Sequence, residues 1–132
     1  MENQYMILEF NNKSQIKVMT ILGGMVNVNG VNRDVLTIEI DPKFIQIDVV
    51  KRIFEDTENL SHLFTYESDE DGVLADEKIE IGEGYTILLG VEEVNRKVIP
   101  FPGKIVPDTF ETIYEVRLAQ MTYDEWIESG YN

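Results

Sequence analysis

Short stretches of alternating apolar and polar residues, separated by turn-forming residues, restrict this chain to a fold built mainly from antiparallel strands. Residues 15–22 alternate in this way, and residues 34–40 place three apolar side chains on one face. Asn29-Gly30 lies between them, and this pair favours a type I′ turn, in which both central residues need positive φ. The sequence therefore predicts a β-hairpin centred on Asn29-Gly30, with a break or bulge at Gly23-Gly24.

Further strands are predicted on both sides of this hairpin. They cover residues 5–10, 63–66, 78–81, 85–91 and 110–118. Residues 85–91 are the most apolar, so we expect a central strand there, continuing over 92–98 beyond a bend at Gly90. Turns are expected at Asn11-Asn12-Lys13, where Asn tolerates left-handed angles, and at Gly82-Glu83-Gly84.

The spacing of apolar residues changes from strand-like to helical after Asp41-Pro42. Proline ends the preceding strand and suits the first turn of a helix. The apolar stripe consists of Ile45, Val49, Val50, Ile53 and Phe54. The sequence predicts one amphipathic helix from about residue 47 to 55, held by packing because its β-branched content is high.

A second, short helix is predicted near the end of the sequence, from Tyr123 to about Ser129. Thr122 and Glu125 have the spacing of a capping box, and Gly130 is placed to end the helix. Met121 and Trp126 have the spacing of a hydrophobic staple. Together these elements predict a single α+β domain over residues 1–132, mostly antiparallel β, as an open or partly closed barrel or a two-layer sandwich.

Composition narrows the classes of partner. The chain of 132 residues has 25 acidic and 11 basic residues and a net charge of -14, which disfavours direct binding to nucleic acid or to an anionic membrane surface. It has no cysteine and no apolar run long enough to span a bilayer. The first residues do not resemble a secretory signal. We therefore expect a protein that is not secreted through a signal peptide and that has protein partners; homo-oligomerisation stays open.

Eight acidic residues fall within residues 67–83. Six of them are candidates for partner binding: Glu67, Asp69, Glu70, Asp71, Asp76 and Glu77. Part of the run resembles a calcium loop, with Asp69 and Asp71 as the weaker metal candidates, but Lys78 stands where a bidentate Glu is required. A loop kept solvated by its charges is the favoured interpretation.

No catalytic site and no cofactor are predicted. His62 is the single histidine, and no motif for nucleophilic, zinc or phosphate chemistry accompanies it. Paired carboxylates are expected by chance in so acidic a chain. Trp126 and Tyr123 belong to an aromatic cluster that is either part of the folded core or, as a less favoured alternative, a partner-binding surface.

Several short segments resemble small proteins encoded in phages and prophages of Gram-positive bacteria, often near tail or baseplate genes. The segments are Asn32-Arg33-Asp34-Val35-Leu36-Thr37, Ile53-Phe54-Glu55-Asp56, Glu58-Asn59-Leu60, Tyr85-Thr86-Ile87 and Val116-Arg117-Leu118-Ala119-Gln120. The resemblance implies a phage origin, a virion-associated role and a location in the cytoplasm of the bacterial host or in the virion, and it supplies no catalytic residues.

Three hypotheses follow for function. The first is a non-enzymatic structural or accessory protein of a phage tail or baseplate region, acting through contacts with phage or host proteins. The second is an acidic inhibitor of a host defence protein, in which carboxylates imitate nucleic acid before a basic cleft. The third is a weak calcium-binding module.

Overall fold

The computed structural model describes residues 5–67, 78–97 and 110–131, and these contain eight strands and two α-helices. The strands are β1 (Met6–Glu9), β2 (Gln15–Val18), β3 (Thr20–Val28), β4 (Val31–Ile40), β5 (His62–Glu67), β6 (Ile79–Glu83), β7 (Ile87–Lys97) and β8 (Phe110–Ala119). The helices are α1 (Ile47–Glu55) and α2 (Tyr123–Ser129), and a 3-10 turn covers Thr57–Leu60. The predicted α+β class is confirmed.

The strands form two four-stranded antiparallel sheets. The first has the order β2-β1-β5-β6 and the second the order β3-β4-β8-β7. The sheets join at two corners without closing a barrel in the part of the chain that the structure describes. At one corner β2 passes into β3 through Met19, whose N–H donates to the carbonyl of Glu39 at 2.7 Å. At the other, Gly84 has φ 77°, donates to Ser61 and accepts from Met121, which links β6 to β7.

The main hydrophobic core lies between the two sheets and takes residues from both. Its fully buried members include Leu8, Phe10, Val18, Ile38, Ile40, Leu63, Val116 and Leu118. Helix α1 contributes Val50 and Phe54, and the rings of Phe54 and Phe10 meet edge to face with centroids 5.5 Å apart. Burial of a side chain such as Phe54 contributes about 1.5–3 kcal/mol, so packing holds this helix in place.

Both predicted helices are confirmed. Helix α1 has the predicted bounds, although Pro42 does not lie in its first turn as predicted. The N-cap is Gln46, and residues 42–45 form a turn and bend before it. Helix α2 has the predicted capping box of Thr122 and Glu125, and Gly130 ends it with φ 80°.

The β3–β4 hairpin turns as predicted, since Asn29 has φ 52° and Gly30 has φ 87°. The break predicted at Gly23-Gly24 is wrong. The pairing between β3 and β4 keeps one register through both glycines. Neither glycine adopts a positive φ, so no bulge is needed there. The interruption falls earlier, at Met19, where the chain crosses from one sheet to the other.

Three further local predictions need correction. The left-handed residue of the first turn is Lys13, with φ 72°, and not an asparagine. Gly82 and Glu83 belong to β6, so the turn is confined to Gly84–Thr86. Strand β7 lies at a sheet edge and not at its centre, because its second half is charged and β8 occupies the inner position. Its predicted bend at Gly90 is confirmed by a register shift between Leu88 and Gly90.

Candidate functional site

Among the described residues, the two sheets end in four edge strands, and these differ in charge. Strands β2 and β6 are short and carry charged residues, and the second half of β7 is charged. Their charged residues are Lys17 in β2, Glu80 and Glu83 in β6, and Glu92, Glu93, Arg96 and Lys97 in β7. Strand β3 has nine residues and none is charged. Charged side chains on an edge strand disfavour its pairing with a strand of another chain. Among these four edges, β3 is the one without such charges.

The side chains of β3 add apolar surface to this edge. Leu22 is 58% exposed and Met25 is 66% exposed, and Val26 beside them is also exposed. At Gly23 and Gly24, an added Cβ would meet no atom within 4 Å. The unpaired backbone edge of β3 and these side chains, called the β3 edge below, therefore form an open, uncharged and apolar strip.

The hairpin that carries the β3 edge extends beyond the rest of its sheet. Strand β8 pairs with β4 from Val35 to Ile40, and the N–H of Gln120, just after β8, donates to the carbonyl of Asp34 at 2.8 Å. Within the described part of the chain, residues 31–33 of β4 have β3 as their strand partner and no further strand beside them. Val31, near the turn, is 38% exposed. An approaching chain therefore meets no neighbouring strand at this end of the edge.

The hairpin is fixed to helix α2 by an ion pair close to its turn. Arg33 Nη1 lies 2.6 Å from Glu125 Oε1 and donates to the carbonyl of Gln120 at 3.1 Å. Glu125 also accepts from the N–H of Thr122 at 2.8 Å. The hydrogen bond from Arg33, followed by that from Thr122, lowers the pKa of Glu125 from 4.5 to about 2. The carboxylate is therefore charged at neutral pH and holds the hairpin to the helix.

His62 lies at the start of β5 and contacts three parts of the chain. Its Nδ1 is 3.1 Å from Glu80 Oε1, and its Nε2 is 3.2 Å from the carbonyl of Tyr131. Its ring meets that of Trp126 edge to face, with centroids 5.5 Å apart. These contacts tie β5 and β6 to the segment that follows α2.

The ring of His62 faces an oxygen acceptor at each nitrogen, and only the protonated ring can donate to both. Burial opposes the charge, but the bonds to Glu80 and Tyr131 and the charges of Glu80 and Glu83 outweigh it and raise the pKa of His62 above 6.5. His62, Glu80 and Glu83 place one ligand atom each within 4.8 Å of one another. They are the described residues that could hold a metal ion, although the proton competes with a cation for Nδ1.

Two buried carboxylates, Glu9 and Glu39, already have cationic partners. Glu9 accepts from Lys78 at 2.8 Å and from Gln15 at 3.0 Å, and these bonds lower its pKa. Glu39 accepts from Arg96 and from Thr20. Both carboxylates thus stabilise the fold as parts of ion pairs, and neither faces an empty site as a catalytic acid would.

The aromatic residues predicted to bind a partner are separated in the structure. Trp126 packs within the chain, against His62 and against Tyr131 with ring centroids 6.1 Å apart. Tyr123 is 77% exposed and takes no part in this cluster. Glu67 ends β5, and the other acidic candidates, Asp69, Glu70, Asp71, Asp76 and Glu77, lie outside the described residues. The proposed calcium ligands Asp69 and Asp71 are among the latter.

A shallow groove of about 330 Å³ lies elsewhere, between α1 and the β1–β2 turn. Its lining residues are Asn12, Ser14, Val49, Arg52, Ile53, Asp56 and Asn59. Part of the polar lining is already paired, because Asn59 accepts through its side-chain oxygen from the N–H of Asn12 at 2.7 Å. The groove does not include His62 or either buried carboxylate, so it is separate from the sites described above.

Reasoning from the sequence did not identify the β3 edge, although a signal was present. Residues 18–32 form a run of 15 residues without a charge, in a chain that is 27% charged. Roughly four charges would be expected in a stretch of that length, so their absence marks the segment. The proximity of His62 to Glu80 and Tyr131 had no comparable signal, because it depends on how β5, β6 and α2 pack.

A scan against protein-family models, a search of curated proteins and a search of solved structures found no match to this chain. Among the described residues, neither helix has the length and apolar character needed to cross a membrane.

Proposed function

We propose that this chain is a non-enzymatic structural or accessory protein that acts through protein–protein contacts, and that the β3 edge is its contact surface. The observation that carries the proposal is the contrast among the sheet edges. Three edges carry charged residues, and β3 has none along nine residues. Open strand edges pair with a strand of another chain through main-chain hydrogen bonds, and exposed side chains supply specificity.

The arrangement of the hairpin supports this role. Leu22 and Met25 expose more than half of their surface, in a chain whose net charge of -14 otherwise keeps it apart from other proteins. The ion pair between Arg33 and Glu125 fixes the hairpin to helix α2 near its turn, so a partner would meet an ordered strand. An ordered strand loses less conformational entropy on binding than a disordered one.

The setting that we propose is the tail or baseplate region of a phage of Gram-positive bacteria. This part of the proposal rests on the resemblance of segments such as residues 32–37 and 53–56. Structural proteins of particles act through contact surfaces, and the buried carboxylates Glu9 and Glu39 and the ring of His62 already have partners within the chain.

The test is detection of the protein in particles purified from a lysate of cells that produce the phage, with the native chain compared with Leu22→Lys. We expect the native chain to be enriched with the particles and the Leu22→Lys chain to be depleted. The matched control is Leu89→Lys, which adds the same charge to an exposed apolar site on the opposite edge of the same sheet. It should remain with the particles.

Two results would contradict the proposal. If the native chain never enriches with particles, the structural role fails. If Leu22→Lys and Leu89→Lys behave alike, the β3 edge is not the contact surface. Capture of a basic host protein, lost when the salt concentration is raised, would instead favour the inhibitor hypothesis, because salt weakens the attraction between an acidic surface and a basic partner.

A further inference from the structure

We infer that the occupant of the β3 edge is the β3 edge of a second copy of this chain, so that two four-stranded sheets join into one eight-stranded sheet across a twofold axis. The inference deepens the proposed function by naming the partner, and it rests on the same surface. Two antiparallel strands related by a twofold axis present the same patch to each other, which makes the interface self-complementary.

Charge is the first argument for a second copy. A chain with a net charge of -14 repels its own copies over most of its surface. Residues 18–32 carry no charge, so two copies can meet there without placing acidic groups opposite each other. A basic partner would find no carboxylate on this strip to pair with, whereas an identical neutral strip needs none.

The distribution of side chains along β3 is the second argument. The strand is centred on Gly24, because it runs from Thr20 to Val28. If Gly24 lies on the twofold axis, Leu22 of one copy lies opposite Val26 of the other. Both are exposed apolar residues, and apolar cross-strand pairs stabilise a sheet.

The same register places Met25 of one copy opposite Gly23 of the other. Met25 is the most exposed of the apolar residues of β3, and the space over Gly23 is open. A flexible methionine side chain can cover the backbone of a facing glycine, which has no side chain to obstruct it. Each bulky residue of the strip thus faces either an apolar or an empty position.

The opposite edge of the same sheet makes a competing pairing less favourable. A sheet could also be extended through β7, but a β7–β7 contact centred in the same way, on the middle residue of the strand, would place Glu92 of one copy opposite Glu92 of the other. Like charges directly opposite each other destabilise a strand pair. Pairing of two copies through β3 is therefore favoured over pairing through β7.

The first experiment measures mass by light scattering during size-exclusion chromatography of the native chain over a range of concentrations. We expect a concentration-dependent dimer that strengthens when the salt concentration is raised, because salt screens the repulsion between the acidic surfaces. Leu22→Lys should weaken the dimer by at least about tenfold, and Leu89→Lys should leave it unchanged. A native chain that stays monomeric up to millimolar concentration overturns the inference.

Both variants change the net charge by the same amount and place lysine at a solvent-exposed site, so general electrostatics cannot explain a difference between them. Unchanged far-UV circular dichroism and an unchanged emission spectrum of Trp126 show that each variant is folded. Equal loss of the dimer in Leu22→Lys and Leu89→Lys would place the interface elsewhere and would also overturn the inference.

The second experiment tests the register with single cysteines, since the chain has none of its own. Directly opposed residues of antiparallel strands have Cα atoms about 4.5–5.5 Å apart, which is within disulfide range. Gly24→Cys should therefore cross-link two copies under mild oxidation. In the same register the two copies of Leu22 are displaced by four residues, about 14 Å, so Leu22→Cys should not cross-link. The opposite pattern excludes the twofold axis at Gly24.

The outcomes separate this inference from the proposed function. A monomer in solution that nevertheless enters particles through the β3 edge would remove the second copy and keep the functional proposal. A dimer that forms through β3 and never associates with particles would keep the inference and remove the proposed role.

Discussion

Replacing Glu125 by Gln should destabilise the protein by removing one charge while keeping the geometry of the helix cap. Glutamine retains an oxygen that can accept from the N–H of Thr122, so the capping interaction survives. What is lost is the anion that faces Arg33 at 2.6 Å. The side chain of Arg33 is only 12% exposed, so its charge would be left largely sheltered from water without a carboxylate beside it.

The size of this effect follows from the pKa of Glu125. A fall from 4.5 to about 2 would correspond to about 3 kcal/mol for a fully sheltered group, since each pKa unit is worth about 1.4 kcal/mol. The side chain of Glu125 is 43% exposed, however, and water and salt weaken such a pair. We therefore expect a loss of about 1–1.5 kcal/mol, or a fall of about 3–6 °C in Tm.

The assay is urea unfolding followed by the fluorescence of Trp126, the single tryptophan, which lies next to Glu125 in α2. Glu128→Gln is the matched control, because it removes the same charge from an exposed site of the same helix. The pKa of Glu125 is lowered in the folded state, so its contribution is present above pH 4.5 and is lost as the pH falls toward 2. The reasoning is refuted if Glu125→Gln and Glu128→Gln are equally stable at pH 7, or if their difference is as large at pH 2 as at pH 7.

Two further predictions concern β6 and the site around His62. Gly82→Ala should lower the free energy of unfolding in urea by about 1–3 kcal/mol, because its Cβ would lie 2.2 Å from the buried ring of Tyr85. Gly90→Ala, whose Cβ would meet nothing within 4 Å and which lies away from the β3 edge, should leave the stability unchanged, and equal losses in the two variants would contradict this packing. The raised pKa of His62 means that its charged form stabilises the fold below pH 6.5 and that this contribution is lost as the pH rises through the folded pKa. The fluorescence emission of Trp126 should therefore change with pH, with a midpoint above pH 6.5. This transition should be absent in His62→Gln. A midpoint below pH 6.5 would contradict the pairing of His62 with Glu80.

The local structure that was predictable from the sequence rests on short-range chemistry. The hairpin turn at Asn29-Gly30 and the capping box of Thr122 and Glu125 are determined by residues within four positions of one another. The bounds of α1 follow from a change in apolar period. These signals need no knowledge of the neighbouring strands, which is why they were confirmed.

The predictions that were wrong concern features that depend on tertiary packing. Strand β7 is apolar at its start, which suggested a central position, but the position of a strand in a sheet depends on its partners along the whole length. The glycine pair of β3 suggested a bulge, whereas on an open edge nothing forces one. The site around His62 likewise depends on contacts between residues 62, 80 and 131, whose sequence separations carry no pattern.

The sequence signal for the β3 edge is a segment without charged residues. An acidic run is visible in the sequence alone, whereas an uncharged strand of nine residues indicates a contact surface only when it is known to lie at a sheet edge and the other edges are known to be charged. In a strongly charged chain, an uncharged strand at a sheet edge is therefore the segment to examine for contacts.

Hydrogen–deuterium exchange of the native chain, measured at low and at high protein concentration, tests most directly whether the β3 edge is the surface through which copies meet. We expect amides of Thr20–Val28 to exchange more slowly at high concentration, while those of the opposite edge, Ile87–Lys97, are unchanged. Slower exchange in β7 or α2 with no change in β3 would show that copies do not meet through the β3 edge.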